Sequence, residues 1–115
     1  MRNLVAGLAL ILTNVCGAST VGQATIDEMV VQPNGMVYLK TTPAPLDSPS
    51  CATHVAEWHY AFDGTTAAGK NIYATLISAY FLAEEVRIIG TSDCDPDIDD
   101  TVESLDKLRL QGLTL

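Results

Sequence analysis

Four polar side chains carry the ligand-binding prediction for this sequence: Tyr38, Lys40, Glu57 and His59. Each alternates with apolar residues in a stretch typical of a β-strand, and this alternation places all four on the outer face of a sheet. An aromatic ring among mixed polar neighbours suits a sugar. We therefore predict a carbohydrate ligand on this face, and the alternative is an ordinary solvated sheet face.

A second motif, Gly64-x-x-x-x-Gly69-Lys70, follows a strand and precedes a helix, as phosphate-binding loops do. Such loops place a Mg²⁺-binding hydroxyl at the next position, which here is Asn71. The strand before the motif alternates, whereas the parallel strands of nucleotide-binding domains are apolar throughout. The motif is therefore interpreted as a plain strand-turn-helix junction.

No metal or cofactor is expected. Aspartates occupy every second position from 93 to 99, but an EF-hand counted from Asp93 would need Gly at its sixth place and Glu at its twelfth. Those places hold Ile98 and Ser104, so we interpret the segment as a solvated acidic loop. His54 and His59 are too few for a zinc site unless the fold brings carboxylates to them.

The sequence also argues against catalysis and against nucleic acid. No serine lies in a nucleophile-elbow motif, and the adjacent carboxylates Glu84 and Glu85 would point apart. Fourteen acidic residues outnumber six basic ones, whereas nucleic-acid binding requires a basic surface. We therefore predict a protein that is not an enzyme and has neither nucleic acid nor a membrane span among its partners.

The N-terminus is typical of a secretory signal peptide, with a positive Arg2, an apolar Leu4–Leu12 segment and small residues after it. Cleavage after Ala18 or after Ala24 both fit, and Ala18 is favoured because it lies closer to the apolar segment. The prediction is a signal peptide over 1–18, a single domain over 19–115 and a secreted or periplasmic location.

Removing residues 1–18 takes away Arg2 and Cys16, which leaves a net charge of −9 and two cysteines, Cys51 and Cys94. A pair of cysteines in a small exported domain predicts one disulfide.

The rest of the chain predicts five strands and one helix. Asn34-Gly35 marks a tight hairpin between the first two strands. The predicted strands are Ile26–Val31, Met36–Thr41, Ala56–Phe62, Val86–Ile89 and Lys107–Leu110. The helix lies between the third and fourth strands, over residues 66–83. This β-β-β-α-β-β order predicts a mainly β protein with one central α-helix, a small OB-fold-like five-stranded barrel.

The helix has an apolar stripe and lacks charge. Its stripe comprises Ile72, Tyr73, Leu76, Ile77 and Tyr80, and no charged residue occurs from 71 to 83. A helix without charges is expected to be covered on both sides. The cover is either the barrel of a single chain or, in a homo-oligomer, a neighbouring subunit. The segment is too short to span a bilayer, which takes roughly 20 apolar residues.

Residues 69–80, the strand Val86–Gly90 and Cys94 together resemble the exported OB-fold B subunits of bacterial AB5 toxins, in particular the subtilase-cytotoxin and pertussis-like branch. The resemblance implies a non-enzymatic module that forms a ring of five around its helices and binds cell-surface glycans. The helix of this chain ends in Ala83-Glu84-Glu85 without the glycine turn expected from that family. We predict an exported binding module; the alternative is a small monomeric secreted inhibitor or envelope structural protein.

Overall fold

A computed structural model describes residues 20–110 of the chain. Within this range the chain forms five strands and one helix in the predicted order. The elements are β1 (Thr20–Val31), β2 (Met36–Thr42), β3 (Tyr60–Asp63), α1 (Ala67–Leu82), β4 (Val86–Gly90) and β5 (Leu105–Leu110). The predicted signal peptide lies outside the described residues.

The five strands form one antiparallel sheet in the order β3-β2-β1-β4-β5. Its two edge strands approach each other, because the Ala61 amide donates to the Glu103 carbonyl at 3.0 Å and Ala61 forms a parallel bridge with Ser104. The sheet thereby curls into a small barrel with the helix between β3 and β4. The predicted OB-fold-like architecture is confirmed.

Strand β1 is long and bent, so that it serves both halves of the barrel. Its first part pairs with β4 and its second part with β2, and pairing is irregular between Val21 and Ala24 and again between Ile26 and Glu28. Gln23 lies in the left-handed region at φ 54° within the first irregularity. Bulges of this kind bend a strand and increase its twist, which closes the barrel.

Local signals account for the turns on either side of the sheet. Gly35 has φ 90°, and the Asn34 side chain accepts the Met36 amide at 3.0 Å, which confirms the predicted Asn-Gly hairpin. Thr66 is the N-cap of α1, since its hydroxyl accepts the Gly69 amide at 2.9 Å. At the other end Ala83 takes the left-handed conformation usually held by glycine, with φ 53°.

The helix covers one end of the core with a narrow face. Leu76 and Ala79 are buried, while Tyr80, Phe81 and Leu82 are 50%, 77% and 68% exposed. The expectation that a single barrel covers both sides of the helix is therefore wrong, because the outward face meets solvent. Tyr80 also departs from the predicted apolar stripe, since α1 extends past the edge of the core at its last turn.

The third strand is shorter than predicted. Residues 53–57 form turns, in which the Glu57 and Trp58 amides both donate to the His54 carbonyl at 2.9 Å. Strand pairing begins only at Tyr60, opposite Leu39. Glu57 is therefore a turn residue, and the alternation of residues 56–59 does not describe a strand.

The predicted disulfide is confirmed. Cys51 and Cys94 are bonded, with their Cα atoms 6.1 Å apart across a sequence separation of 43 residues. The bond joins the loop that follows β2 to the loop that follows β4. These two loops form the walls of the cleft described next.

Candidate functional site

A cleft of about 240 Å³ opens between the outer face of β2 and the two loops joined by the disulfide. Its lining combines two aromatic rings with carboxylate, imidazole, amide and hydroxyl groups. The lining residues are Gln32, Tyr38, His54, Glu57, Trp58, Asp99, Thr101 and Val102.

An aromatic wall forms one side of the cleft. Tyr38 lies between the buried Val37 and Leu39 of β2, so alternation turns its ring outward, as predicted. Trp58 approaches it from the turn before β3, with ring centroids 5.8 Å apart and planes inclined by 54°. Tilted pairs at this spacing are favourable for aromatic rings.

A short hydrogen bond fixes the floor of the cleft. The Tyr38 hydroxyl donates to Asp99 Oδ2 at 2.6 Å, although the residues are 61 positions apart. Burial, this hydrogen bond and the Asp99 charge together raise the pKa of Tyr38 to about 12. Tyr38 is therefore a neutral phenol at physiological pH.

Asp99 is held as a carboxylate. Burial acts to raise its pKa, but hydrogen bonds from Thr101 and Tyr38 and the nearby His54 outweigh that effect and lower it. Thr101 donates both its hydroxyl, at 2.6 Å, and its amide, at 2.8 Å, to Asp99 Oδ1. Asp99 therefore brings negative charge and hydrogen-bond acceptors to the cleft.

The two loop walls are tied to each other. The His54 amide donates to the Thr101 carbonyl at 3.2 Å, and the Cys51–Cys94 disulfide joins the same segments nearby. Neither loop has regular secondary structure, so these links determine how the cleft side chains are placed.

The structure brings together only part of the predicted ligand face. Tyr38 and Glu57 line the cleft. Lys40 lies on the outer side of β2 opposite Glu28 of β1 and does not line it.

His59 does not face solvent as predicted, because it is only 5% exposed. Its Nδ1 accepts the Thr41 amide at 3.0 Å, at a position that the pairing of β2 with β3 does not reach, since that pairing ends at Leu39 and Tyr60. Burial lowers the pKa of His59, the Lys40 charge lowers it further, and Asp27 opposes both. The ring is thus a neutral structural acceptor between β2 and the start of β3.

Sequence reasoning missed the other six lining residues, among them His54, Trp58 and Asp99. The alternation that placed Glu57 and His59 on the outer face of a strand implies an inward Trp58, and Asp99 was interpreted as part of a solvated loop. The predicted disulfide was the available signal, because it places the segment after Cys51 beside the segment after Cys94.

The two motifs set aside from sequence have local structural roles. In the Gly64–Lys70 turn the Gly69 amide is bound by Thr66, and a side chain at Gly69 would meet the Asp63 carbonyl oxygen at 1.8 Å. The turn is therefore a helix cap packed against the end of β3, without an open cradle for phosphate.

In the acidic loop, carboxylates bind nearby backbone amides, such as Asp95 Oδ1 with the Asp97 amide at 2.9 Å. No group of three or more histidine, cysteine or acidic side chains that could hold a metal ion occurs within residues 20–110. In that same range, no helix combines the length and apolarity needed to cross a membrane.

Comparisons with protein-family models, with curated proteins and with solved structures found no match to this chain. The resemblance to the B subunits of AB5 toxins therefore stays a prediction.

Proposed function

We propose that this protein is an exported, non-enzymatic carbohydrate-binding module whose site is the cleft between β2 and the disulfide-linked loops. The supporting observation is the Tyr38–Trp58 aromatic wall with the Asp99 carboxylate at its base. Sugar rings carry an apolar C–H face and a rim of hydroxyls, so a site for them combines aromatic surface with polar groups of fixed position.

The polar groups of the cleft match the rim of a sugar. Glu57 offers a carboxylate that accepts hydrogen bonds from hydroxyl groups, and His54 offers a ring nitrogen. Asp99 can accept one more hydrogen bond through Oδ2, since its Oδ1 already accepts two from Thr101. Hydrogen bonds to charged acceptors are stronger than those between neutral groups, which favours vicinal hydroxyls at such a site. The cleft volume lies below the roughly 300–1,000 Å³ of drug-sized pockets and suits a single monosaccharide unit.

The negative charge of the cleft restricts which class of sugar can bind there. Two carboxylates line the cleft, and the whole chain has a net charge of −8. Repulsion disfavours sugars that carry a carboxylate or a sulfate. The proposed ligand is a neutral sugar or an amino sugar at the end of a glycan chain.

The arrangement of β1 supports cleavage after Ala18 over cleavage after Ala24. Thr20 and Val21 pair with Ile89 and Ile88 of β4. Cleavage after Ala18 keeps this pairing, whereas cleavage after Ala24 would remove it together with the buried Val21 side chain. Intact mass measurement of the exported protein is expected to give Ser19 as the first residue.

Trp58 provides a direct test of sugar binding, because it is the single tryptophan of the sequence and lies in the cleft. Titration of the protein with neutral, amino and acidic monosaccharides is expected to change its fluorescence saturably for the first two classes. A glycan array then identifies the preferred terminal sugar.

Two isosteric substitutions distinguish sugar binding in the cleft from sugar binding elsewhere on the surface. Glu57→Gln removes a cleft charge and is expected to weaken binding of an amino sugar by about tenfold, roughly 1.4 kcal/mol. Glu28→Gln makes the same change at an exposed position of β1 outside the cleft. It is expected to leave sugar binding unchanged. An absence of saturable fluorescence change together with an empty glycan array would refute the proposal.

A further inference from the structure

The outward face of α1 is an uncovered surface with large apolar side chains at one end. At 3.6 residues per turn, most of its exposed positions form one stripe along the helix. Seven of the nine exposed positions belong to it, namely Ala67, Lys70, Asn71, Ala74, Ser78, Phe81 and Leu82, while Ala68 and Tyr80 lie beside it. Phe81 and Leu82 are 77% and 68% exposed, and contiguous exposed apolar surface marks interaction sites in soluble proteins.

The apolar surface continues from the helix onto β1. Tyr80 and Phe81 border a groove of about 310 Å³ between α1 and β1, whose far side combines the apolar Met29 and Val31 with the carboxylates of Asp27 and Glu28. Val31 is itself half exposed. A partner on α1 therefore meets two elements of the barrel.

Charge identifies the partner as a second copy of the chain. Two copies that begin at Ser19 each carry a net charge of −9, so contact between most of their surfaces is repulsive. Residues 71–83 contain no charge. The outer face of α1 consequently lets two acidic molecules approach without placing carboxylates against each other.

The ends of the helix determine how the copies align. Lys70 and the positive end of the helix dipole lie at one end of the stripe, while Glu84, Glu85 and the negative end lie at the other. An antiparallel pair sets each basic end against the partner's acidic end. A parallel pair sets like charges together.

We propose that two copies associate through an antiparallel α1–α1 contact with two-fold symmetry, as in other isologous interfaces. Ala74 then faces the partner's Ser78, and these small residues let the helices approach closely at the centre. Lys70 faces the partner's Leu82 and reaches the carboxylates of Glu84 and Glu85. Phe81 of each copy packs beside the partner's Asn71.

Zero-length cross-linking with a carbodiimide tests the alignment, because it joins only amines and carboxylates that touch. Within one chain, Lys70 and Leu82, the last residue of α1, are 12 residues apart, about 18 Å along the helix. Glu84 and Glu85 follow that end of the helix, so Lys70 of the same chain is not expected to be joined to them. A dimer containing a Lys70–Glu84 or Lys70–Glu85 link, identified by mass spectrometry, is the expected result. Lys70→Arg is the matched control: it keeps the charge and the dimer but loses the link.

Charge reversal tests the same contact in solution by sedimentation over a range of protein concentrations. Lys70→Glu alone, or Glu84→Lys with Glu85→Lys, is expected to weaken the dimer by about tenfold, and the three changes together to restore it. Both reversals favour the helix dipole, so lost association cannot be attributed to unfolding.

Three results would overturn the proposal: a monomer at every concentration, a ring or dimer without the link, or a triple variant that fails to recover. In each case sugar binding, which uses the cleft residues and no residue of the α1 stripe, is read independently through Trp58.

Discussion

The disulfide should support both the stability of the domain and the geometry of the cleft. We consider Cys51→Ala, Cys94→Ala and the double variant. A cross-link stabilises a protein mainly by restricting its unfolded chain. With a separation of 43 residues between the two cysteines, the loop-entropy relation gives about 4 kcal/mol at 25 °C as an upper value.

The three variants distinguish two contributions of the disulfide to stability: its restriction of the unfolded chain and the packing of its sulfur atoms in the folded protein. If loop entropy dominates, all three lose the same free energy of unfolding, because each breaks the same cross-link. If native packing dominates instead, Cys94→Ala is expected to lose more free energy of unfolding than Cys51→Ala. The reason is that Cys94 is 5% exposed, whereas Cys51 is only partly buried. Urea unfolding followed by Trp58 fluorescence, with remaining thiols alkylated, measures the difference.

The same variants report on the cleft. Loss of the disulfide frees the loop that carries Asp99, so the pKa of Tyr38 should fall from about 12 towards its ordinary value of roughly 10. Absorbance of tyrosinate near 295 nm follows this titration, and Tyr38→Phe identifies the component that belongs to Tyr38.

The sign of the accompanying stability change is fixed by the direction of the shift. The folded state raises the pKa of Tyr38. The contribution of Tyr38 to the free energy of unfolding is therefore complete below about pH 10 and is lost as the pH rises through 12. A loss below about 1 kcal/mol in every variant, with an unchanged tyrosine titration, would refute the role given to the disulfide.

Three further outcomes are expected. Ala83→Gly should raise the free energy of unfolding by about 0.5–1 kcal/mol in thermal or urea unfolding, because Ala83 has φ 53°; a destabilised variant would contradict this. Gly90→Ala should lower the free energy of unfolding by about 1–3 kcal/mol, since the added methyl meets the buried Glu103 carboxylate at 2.1 Å. Gly22→Ala, with open space around the added methyl, should change it little. Equal effects of the two substitutions would rule out the clash. His59 has a lowered pKa, so its contribution is present above about pH 6.5 and is lost as the pH falls below that value. His59→Asn keeps an acceptor without titrating, so its stability should be flatter between pH 5 and 7, and identical profiles would exclude a role for His59.

Features encoded within a few residues were predictable from the sequence. The Asn34-Gly35 hairpin and the alternation of β2 both depend on backbone geometry that neighbouring residues impose. The element order β-β-β-α-β-β follows from these local signals. The disulfide followed from cysteine count and export context.

Side-chain exposure was less predictable where chain segments distant in sequence decide it. Alternation in residues 56–59 predicted an outward His59, but β3 starts later and the ring became the acceptor for the Thr41 amide. Tyr80 continued an apolar stripe, yet α1 runs beyond the core at that point and leaves the ring half exposed. Periodicity describes one element and carries no information about where its neighbours end.

The sequence by itself determined the barrel, its turns and the residue types available for binding. Tertiary structure alone decided which of them meet, as the Tyr38–Asp99 hydrogen bond across 61 residues shows. Such a pair arises because barrel closure and the disulfide bring two irregular loops onto β2. Local preferences cannot specify that contact, since its energy depends on segments that are adjacent only in the folded chain.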